Sequence, residues 1–287
     1  MSKLTPTSFK TLSNGSKIPI TGFGVYLTPP GETYNIVLKA LESGYRHIDS
    51  ARYYENEQES GDAILKFLET NPQVKRSDIW YTTKLFNLNY DDAKAAIKES
   101  FERVKGLGYI DLFLIHAPIT NKTKRLGQYK ALQEAVDQGI VKSIGVSNYG
   151  IKHLEELLSW NELKYKPVVN QVELHPWLPR KDIQEFTQKN GIALEAYSPL
   201  TQGKYLDAPE VVEISKKTGF SPAQILLKWS FEQGFIVLAK TANPDRLKPN
   251  YNVLKDVEIS KEDLSKLEFP DSYKVFAWDP ATFEDTE

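Results

Sequence analysis

The 287-residue sequence contains no cysteine. Disulfide bonds, thiol nucleophiles and thiolate-bound zinc are therefore excluded, and the composition fits a reducing compartment. Long apolar runs are missing too, so the sequence offers no candidate for a transmembrane helix, and its first residues lack the apolar core of a signal peptide. On these grounds we expect a soluble, cytoplasmic protein without a membrane partner.

Excess charge of one sign is also absent. The chain carries 36 basic and 38 acidic side chains, which gives a formal net charge of -2. This balance does not favour nucleic acid or an anionic membrane as a partner. With 40% hydrophobic residues, the composition is that of an ordinary globular protein with a large core.

Short apolar strands alternate with amphipathic helices along the chain. After a hairpin signal at Asn14-Gly15, within residues 10–20, we predict strands at residues 20–25, 46–49, 79–85, 110–116, 141–146, 168–173, 193–197 and 235–239. Helices are predicted at residues 32–43, 57–70, 91–104, 126–138, 151–160, 181–190, 209–218 and 222–233, and after residue 260. This α/β pattern predicts a (β/α)8 TIM barrel whose N-terminal β-hairpin closes the barrel bottom.

A doubly wound open sheet is the competing architecture. It is disfavoured because no glycine-rich fingerprint follows the first strand. No linker divides the chain either, so we expect a single domain over residues 1–287.

Polar side chains stand at the carboxyl ends of five predicted strands: Asp49, Lys84, His116, Gln171 and Tyr197. In closed barrels the catalytic groups lie at these ends. Five polar residues on one rim therefore predict a functional site.

A tyrosine, Tyr54, follows Asp49 by five residues. An ordinary phenol has a pKa of about 10 and is a weak acid at neutral pH. We expect the Lys84 ammonium to lower the pKa of Tyr54, and the Asp49 carboxylate to hold that ammonium in place. His116 can polarise a carbonyl oxygen from the other side. The set can protonate an oxygen that gains negative charge, and a nicotinamide cofactor is the natural hydride source.

Each of these residues also has a simpler interpretation. Asp49 and Lys84 can form a structural ion pair inside the barrel. A lone His116 is more often an interior histidine with satisfied hydrogen bonds, and a lone Tyr54 is more often an aromatic residue at a helix start. Their joint placement on one rim favours the catalytic interpretation.

A second candidate site follows the last predicted strand. Asn243 is a residue type that caps helices, and Pro244 suits a first helical turn. Lys240, the Thr241 hydroxyl, the free amides of the helix start and Arg246 would make a phosphate pocket. Such pockets are common after the last strands of this fold. By themselves, basic residues near a helix start are more often solvated surface.

An ordered set of motifs resembles the aldo-keto reductases, and is closest to the small fungal NADPH-dependent carbonyl and xylose-type reductases. The motifs are Gly-Tyr-Arg-His-Ile-Asp-Ser-Ala at residues 44–51, Tyr-Glu-Asn-Glu at 54–57, and the segments 83–85, 115–116, 145–149, 170–176, 196–200 and 240–246. The resemblance covers nearly the whole chain. Each motif alone is modest evidence, but their order is specific.

The resemblance implies a catalytic tetrad of Asp49, Tyr54, Lys84 and His116. For the nicotinamide it implies contacts with Ser147, Asn148, Gln171 and Tyr197, the last stacked on the ring. Along the pyrophosphate it implies Ser198, Leu200 and Gln202, and at the 2′-phosphate and adenine it implies Lys240, Thr241, Asn243, Arg246 and Asn250. The implied cofactor is NADPH, with NADH as a weaker alternative, and no metal is implied.

Some positions depart from the family pattern. Ala117 stands where many members have an aromatic residue, and the loop after His116 is short, so we expect a wide substrate pocket with an open mouth. We assign Tyr26 and Phe86 to its walls and Trp80 to the core. Pro249 stands where an acid often contacts adenine, which weakens the preference between cofactors.

We predict a monomeric enzyme that reduces aldehydes and some ketones, with Tyr54 protonating the carbonyl oxygen. Trp278, near the end of the chain, is a candidate to fold over the site. A non-catalytic NADPH-binding barrel that senses redox state is one alternative. The other is a metal-dependent barrel hydrolase, whose ligands would be His47, Asp49, His116 and His175.

Overall fold

The computed structural model describes residues 3–29 and 31–285. Eight parallel strands close into a barrel in chain order, and the last strand pairs with the first. The strands are β3 (Thr21–Gly24), β4 (His47–Asp49), β5 (Trp80–Leu85), β6 (Ile110–Ile115), β7 (Val141–Ser147), β8 (Val169–Glu173), β9 (Ala193–Tyr197) and β10 (Ile236–Ala239). The predicted (β/α)8 TIM barrel is confirmed.

Helices follow the strands and cover the outside of the barrel. They are α1 (Thr33–Glu42), α2 (Glu57–Thr70), α3 (Tyr90–Arg103), α4 (Lys122–Asp137), α5 (Ile151–Leu158), α6 (Lys181–Lys189), α7 (Pro209–Thr218) and α8 (Pro222–Glu232). Helix α4 begins four residues before its predicted start because the Asn121 side chain accepts a hydrogen bond from the Lys124 amide, 3.0 Å away. This N-cap supplies a start signal that the apolar periodicity alone does not contain.

The N-terminal hairpin, strands β1 (Phe9–Thr11) and β2 (Lys17–Pro19), closes the bottom of the barrel as predicted. Gly15 turns the chain with a φ of 85°, a left-handed conformation that favours glycine. Leu12 and Ile18 of the hairpin pack in one apolar cluster with Trp80, at the start of β5. The opposite end of the barrel, where the strands finish, is therefore the open one.

Three short helices follow the last barrel strand: α9 (Leu247–Tyr251), α10 (Val253–Asp256) and α11 (Lys261–Ser265). The final helix predicted after residue 260 is present but spans only five residues. Among the helices that the structure describes, none is both long and apolar enough to cross a membrane.

Candidate active site

A cavity of about 840 Å³ opens at the carboxyl ends of the strands. Most of the residues predicted for a site line it: Tyr26, Asp49, Tyr54, Phe86, His116, Ser147, Asn148, Gln171, Tyr197, Ser198, Leu200, Gln202, Lys240 and Arg246. The barrel topology thus brings residues from most of its strands to one chamber.

A cluster of half-buried Tyr54 with buried Lys84 and Asp49 lies at the wall of this cavity. The Lys84 ammonium donates hydrogen bonds to Asp49 Oδ1 at 2.6 Å and to the Ser50 carbonyl at 2.8 Å, and it lies 3.4 Å from the Tyr54 hydroxyl. Lys84 is completely buried and Asp49 nearly so. Because an isolated buried ammonium would be very costly, the carboxylate and the carbonyl hold the charge next to the phenol.

The pKa of Tyr54 shifts in the direction opposite to our expectation. Burial raises the pKa of Tyr54 well above its ordinary value, and the Asp49 carboxylate raises it further. The ammonium of Lys84 does not outweigh these two effects, because it is itself neutralised by Asp49. Tyr54 is therefore protonated at neutral pH and holds a proton that it can donate.

His116 lies beside Tyr54, with the two ring centroids 5.5 Å apart. Burial, followed by the positive charge of Lys84, holds the pKa of His116 well below its usual range. The imidazole is therefore neutral at physiological pH. Its Nδ1 atom is buried without a hydrogen-bond partner among the described residues. A neutral ring can contribute one N–H donor but no full positive charge.

Four residues predicted to surround a nicotinamide form a connected group. Ser147 Oγ donates to the Gln171 carbonyl at 2.7 Å, and the Tyr197 hydroxyl donates to Asn148 Oδ1 at 2.6 Å. Both protons of the Gln171 amide nitrogen go to carboxylates, so its amide oxygen is the atom left for a ligand in the cavity. Asn148 and Ser198 have left-handed backbones, with φ of 62° and 49°. Such strain in non-glycine residues concentrates at functional sites.

The basic end of the cavity contains Lys240 and Arg246. The Lys240 ammonium donates to the Leu27 carbonyl at 3.2 Å. Three other residues predicted for this end, Thr241, Asn243 and Asn250, do not line the cavity. Asn243 caps a short helical turn by accepting from the Asp245 amide, as its residue type predicts.

Aromatic side chains line the part of the cavity around Tyr54 and His116. Tyr26 and Phe86 are among its walls, as predicted, and the Tyr26 ring lies 5.0 Å from the ring of Tyr54. Trp278 also lines the cavity, with its ring 6.2 Å from that of His116. Ala117 is buried and is not among the residues that line the cavity, so its assignment to the pocket stays a prediction.

The C-terminal segment that carries Trp278 is fixed by buried charges. The Glu173 carboxylate, at the end of β8, accepts hydrogen bonds from the amides of Phe276 at 2.9 Å and Ala277 at 3.1 Å. The Arg180 guanidinium donates to Asp279 Oδ1 at 2.8 Å. These bonds fix the segment whose residues Ala277 and Trp278 form part of the cavity wall.

Tyr53 and Glu195 are among the residues at this site that sequence reasoning missed. Tyr53 lines the cavity beside Tyr54. Both belong to a short helical turn, Arg52–Tyr54, in which neighbouring side chains do not alternate between opposite faces as they do in a strand. Glu195 lies in the barrel interior and accepts from Gln171 at 2.7 Å. A signal for Glu195 was present, since it is the only charged residue of β9 and alternates onto the same face as Tyr197.

The metal-hydrolase alternative has no support in the geometry. Across residues 3–29 and 31–285, no group of three or more His, Asp or Glu side chains is arranged to hold a metal ion. His47 is fully buried and bonded to the Pro19 carbonyl, and His175 is bonded to Glu173. The four proposed ligands therefore do not converge.

Comparison with known proteins finds relatives over nearly the whole chain. A model of the Aldo/keto reductase family matches residues 26–269. An uncharacterised oxidoreductase of Saccharomyces cerevisiae is 44% identical over 274 residues, which cover 94% of this chain and 97% of the relative. A glycerol 2-dehydrogenase (NADP(+)) of Hypocrea jecorina is 40% identical over 90% of each chain.

Solved structures show the same barrel. An aldo-keto reductase from a Medee basin deep-sea metagenome library matches with a TM-score of 0.87 and 34% identity, over 96% of this chain and all of the other. The aldose reductase of Schistosoma japonicum matches with a TM-score of 0.81 and 33% identity, over 93% of this chain and 91% of the other. The chain therefore belongs to the aldo/keto reductase family of oxidoreductases.

Proposed function

We propose that this protein is an NADPH-dependent reductase of aldehydes and some ketones, and that Tyr54 protonates the carbonyl oxygen. The observation that carries the proposal is the half-buried contact between the Tyr54 hydroxyl and Lys84 Nζ, 3.4 Å long, at the wall of the cavity. The same cavity extends to the basic side chains of Lys240 and Arg246. One chamber thus joins a proton donor to a site suited to a phosphate.

The donor set fits a nicotinamide dinucleotide phosphate. Gln171 has a free amide oxygen for a carboxamide, and the Tyr197 ring lies in the cavity wall for stacking. Lys240 and Arg246 would hold a 2′-phosphate by charge-assisted hydrogen bonds. When bound, the reduced cofactor supplies the hydride for the carbonyl carbon. Because Thr241, Asn243 and Asn250 lie outside the cavity lining, the phosphate preference depends mainly on these two cations.

Three residues of the protein take part in the transfer of one proton: Tyr54, Lys84 and His116. Tyr54 is protonated before reaction because burial raises the pKa of its hydroxyl. As negative charge develops on the substrate oxygen, the proton moves from Tyr54 to that oxygen, since an alkoxide is a stronger base than a phenolate. The Lys84 ammonium stabilises the phenolate that remains, and neutral His116 offers an N–H to the same oxygen.

The aromatic walls favour uncharged carbonyl substrates. Tyr26, Tyr53, Phe86 and Trp278 present rings to the cavity, and the charged residues of its lining are confined to Asp49 and to the basic end. An anionic substrate would find no fixed cation near Tyr54 other than Lys84, which Asp49 already neutralises. A neutral aldehyde with an apolar or aromatic body matches these walls better.

The test is to mix the purified protein with NADPH and a panel of neutral aldehydes and ketones while following loss of cofactor absorbance. We expect consumption of NADPH, slower consumption of NADH, and loss of at least about a hundredfold in turnover for Tyr54→Phe. Cofactor binding, followed by fluorescence, should survive in that variant. If the wild type binds NADPH but reduces no carbonyl of the panel, the proposed function fails and the non-catalytic NADPH-binding alternative is favoured. The monomeric state and the cytoplasmic location stay predictions.

A further inference from the structure

A second buried carboxylate, Glu195, lies behind the Asp49–Lys84 pair. It is fully buried in the barrel interior and comes from the middle of β9. The Gln171 amide nitrogen joins the two carboxylates, donating to Asp49 Oδ2 at 2.8 Å and to Glu195 Oε2 at 2.7 Å. Two acids therefore face a single buried cation, Lys84.

The second oxygen of Glu195 faces His47. Glu195 Oε1 lies 3.3 Å from His47 Nε2 and makes no hydrogen bond to the described residues. The Thr82 hydroxyl also lies 3.3 Å from this nitrogen, but it makes no hydrogen bond to Glu195 Oε1 and leaves that oxygen unpaired. The opposite nitrogen, His47 Nδ1, lies 3.1 Å from the Pro19 carbonyl. Because a carbonyl oxygen only accepts, Nδ1 must carry the ring proton.

Glu195 Oε1 and His47 Nε2 are both hydrogen-bond acceptors unless one of them carries a proton. A neutral His47 with its proton on Nδ1 presents a lone pair at Nε2. An ionised Glu195 would then turn a buried, unpaired anionic oxygen toward that lone pair, which is strongly unfavourable. A proton on Glu195 Oε1 turns the contact into an attractive one.

We propose that Glu195 is a positioning residue that holds a proton against His47 Nε2, so that Asp49 remains the only anion beside Lys84. With Glu195 neutral, the charges of Asp49 and Lys84 cancel. The Gln171 amide then joins a carboxylate to a carboxylic acid rather than two anions. Loss of this proton would add a negative charge behind the pair and make Tyr54 a weaker acid. This last consequence rests on the proposed function.

The titratable groups that face Glu195 agree with this assignment. His47 and Asp49 face it from β4 and Lys84 from β5, and Tyr54 lies above them at the rim. Burial, and then the charge of Asp49, raise the pKa of Glu195 to about 8, against smaller opposing effects of Gln171 and Lys84. Burial lowers the pKa of His47 to about 4, so the shared proton resides on the acid.

Unfolding experiments at several pH values test the proton directly. Between about pH 5 and pH 7.5, the folded state holds a proton on Glu195 that the unfolded chain has released, so unfolding becomes easier as pH rises. Glu195→Gln removes this dependence and keeps the same shape, because its amide can donate to His47 and accept from Gln171. The wild-type unfolding constant, divided by that of the variant, should rise about tenfold per pH unit. A ratio that does not change with pH overturns the proposal.

A measurement on the wild type covers the case in which the variant folds poorly. The sequence has four histidines, so the ring nitrogens can be followed individually by NMR after histidine labelling. His47→Asn identifies the signal. We expect His47 to be neutral and protonated at Nδ1 from about pH 6 to pH 9. An imidazolium signal at about pH 7 would assign the proton to His47 and refute a neutral Glu195.

Kinetics separate this inference from the proposed function. For each protein, the turnover number with NADPH and an aldehyde is measured at about pH 9 and divided by the turnover number at about pH 6.5. We expect this ratio to be at least about threefold lower in the wild type than in Glu195→Gln. Equal ratios in active proteins contradict the coupling of Glu195 to Tyr54. If neither protein reduces any carbonyl but the unfolding ratio still depends on pH, the proposed function fails and the protonation of Glu195 stands.

Discussion

Replacement of Lys84 by methionine is the sharpest test of the buried ion pair. The ammonium is fully buried, lies 2.6 Å from Asp49 Oδ1 and also donates to the Ser50 carbonyl. Methionine keeps most of the length of the side chain and fills the same space, so the change mainly removes the charge. Asp49 would keep only the hydrogen bond from Gln171 and become an unpaired buried anion.

The size of the effect follows from this burial. Removing one member of a buried pair costs about 3–5 kcal/mol, because the other charge loses both water and partner. We expect Lys84→Met to destabilise the protein by this amount near neutral pH. The loss should be smaller in acid, where the unpaired Asp49 carboxylate can bind a proton. Asp49→Asn should cost a similar amount. The double variant should cost at least about 2 kcal/mol less than the sum, since it leaves no uncompensated charge.

The assay is urea unfolding followed by tryptophan fluorescence, with turnover measured on the same samples. Lys66→Met is a matched control, because Lys66 lies 2.8 Å from Glu69 but both side chains are exposed. Exposed pairs contribute little, so this control should show no measurable loss. A loss below about 1 kcal/mol for Lys84→Met, or strict additivity in the double variant, would refute our account of the pair.

The same cycle separates a structural pair from a catalytic one. If Asp49 and Lys84 only stabilise the barrel, the double variant should recover turnover together with stability. If Lys84 stabilises the phenolate of Tyr54, turnover stays low in all three variants although the double variant is the more stable. Recovery of turnover in the double variant would therefore remove Lys84 from the proposed mechanism.

Three further predictions concern the rest of the site. Lys240→Met should raise the Michaelis constant for NADPH by about tenfold or more and leave that for NADH nearly unchanged, since only NADPH has the 2′-phosphate; equal effects would contradict the assignment. Glu173→Gln weakens the charge-assisted bonds to the Phe276 and Ala277 amides, so limited proteolysis near Trp278 should accelerate while the unfolding midpoint changes little. His116→Gln should lower turnover by about 10–100-fold, because the glutamine amide still offers an N–H to the substrate oxygen. This loss is smaller than the one expected for Tyr54→Phe, and equal losses would make His116 the acid.

The barrel was predictable because its signals are local. The alternation of short apolar strands with amphipathic helices fixes the topology, and polar residues at strand ends mark the rim without knowledge of any contact. Asp49, Lys84 and His116 were found in this way. Helix starts were less secure, since Asn121 caps α4 so that the helix begins four residues before the apolar periodicity does.

Charge and burial were not predictable in the same way. The spacing of Asp49, Tyr54 and Lys84 shows that the three can meet, but it does not show how much water reaches them. Burial reverses the expected shift in the pKa of Tyr54. Thr241, Asn243 and Asn250 have suitable side chains in the sequence, yet none of them lines the cavity. Which polar groups face a cavity is a property of the packed barrel.

The two pKa directions at the rim together determine which group can give a proton. Burial raises the pKa of Tyr54 and lowers that of His116, so that both groups are neutral over the physiological range. A neutral phenol can lose its proton to form a phenolate, which Lys84 is positioned to stabilise. A neutral imidazole would have to become an imidazolate, and the N–H of a neutral imidazole is a much weaker acid than a phenol. Burial and charge balance therefore support our proposal that Tyr54, rather than His116, donates the proton.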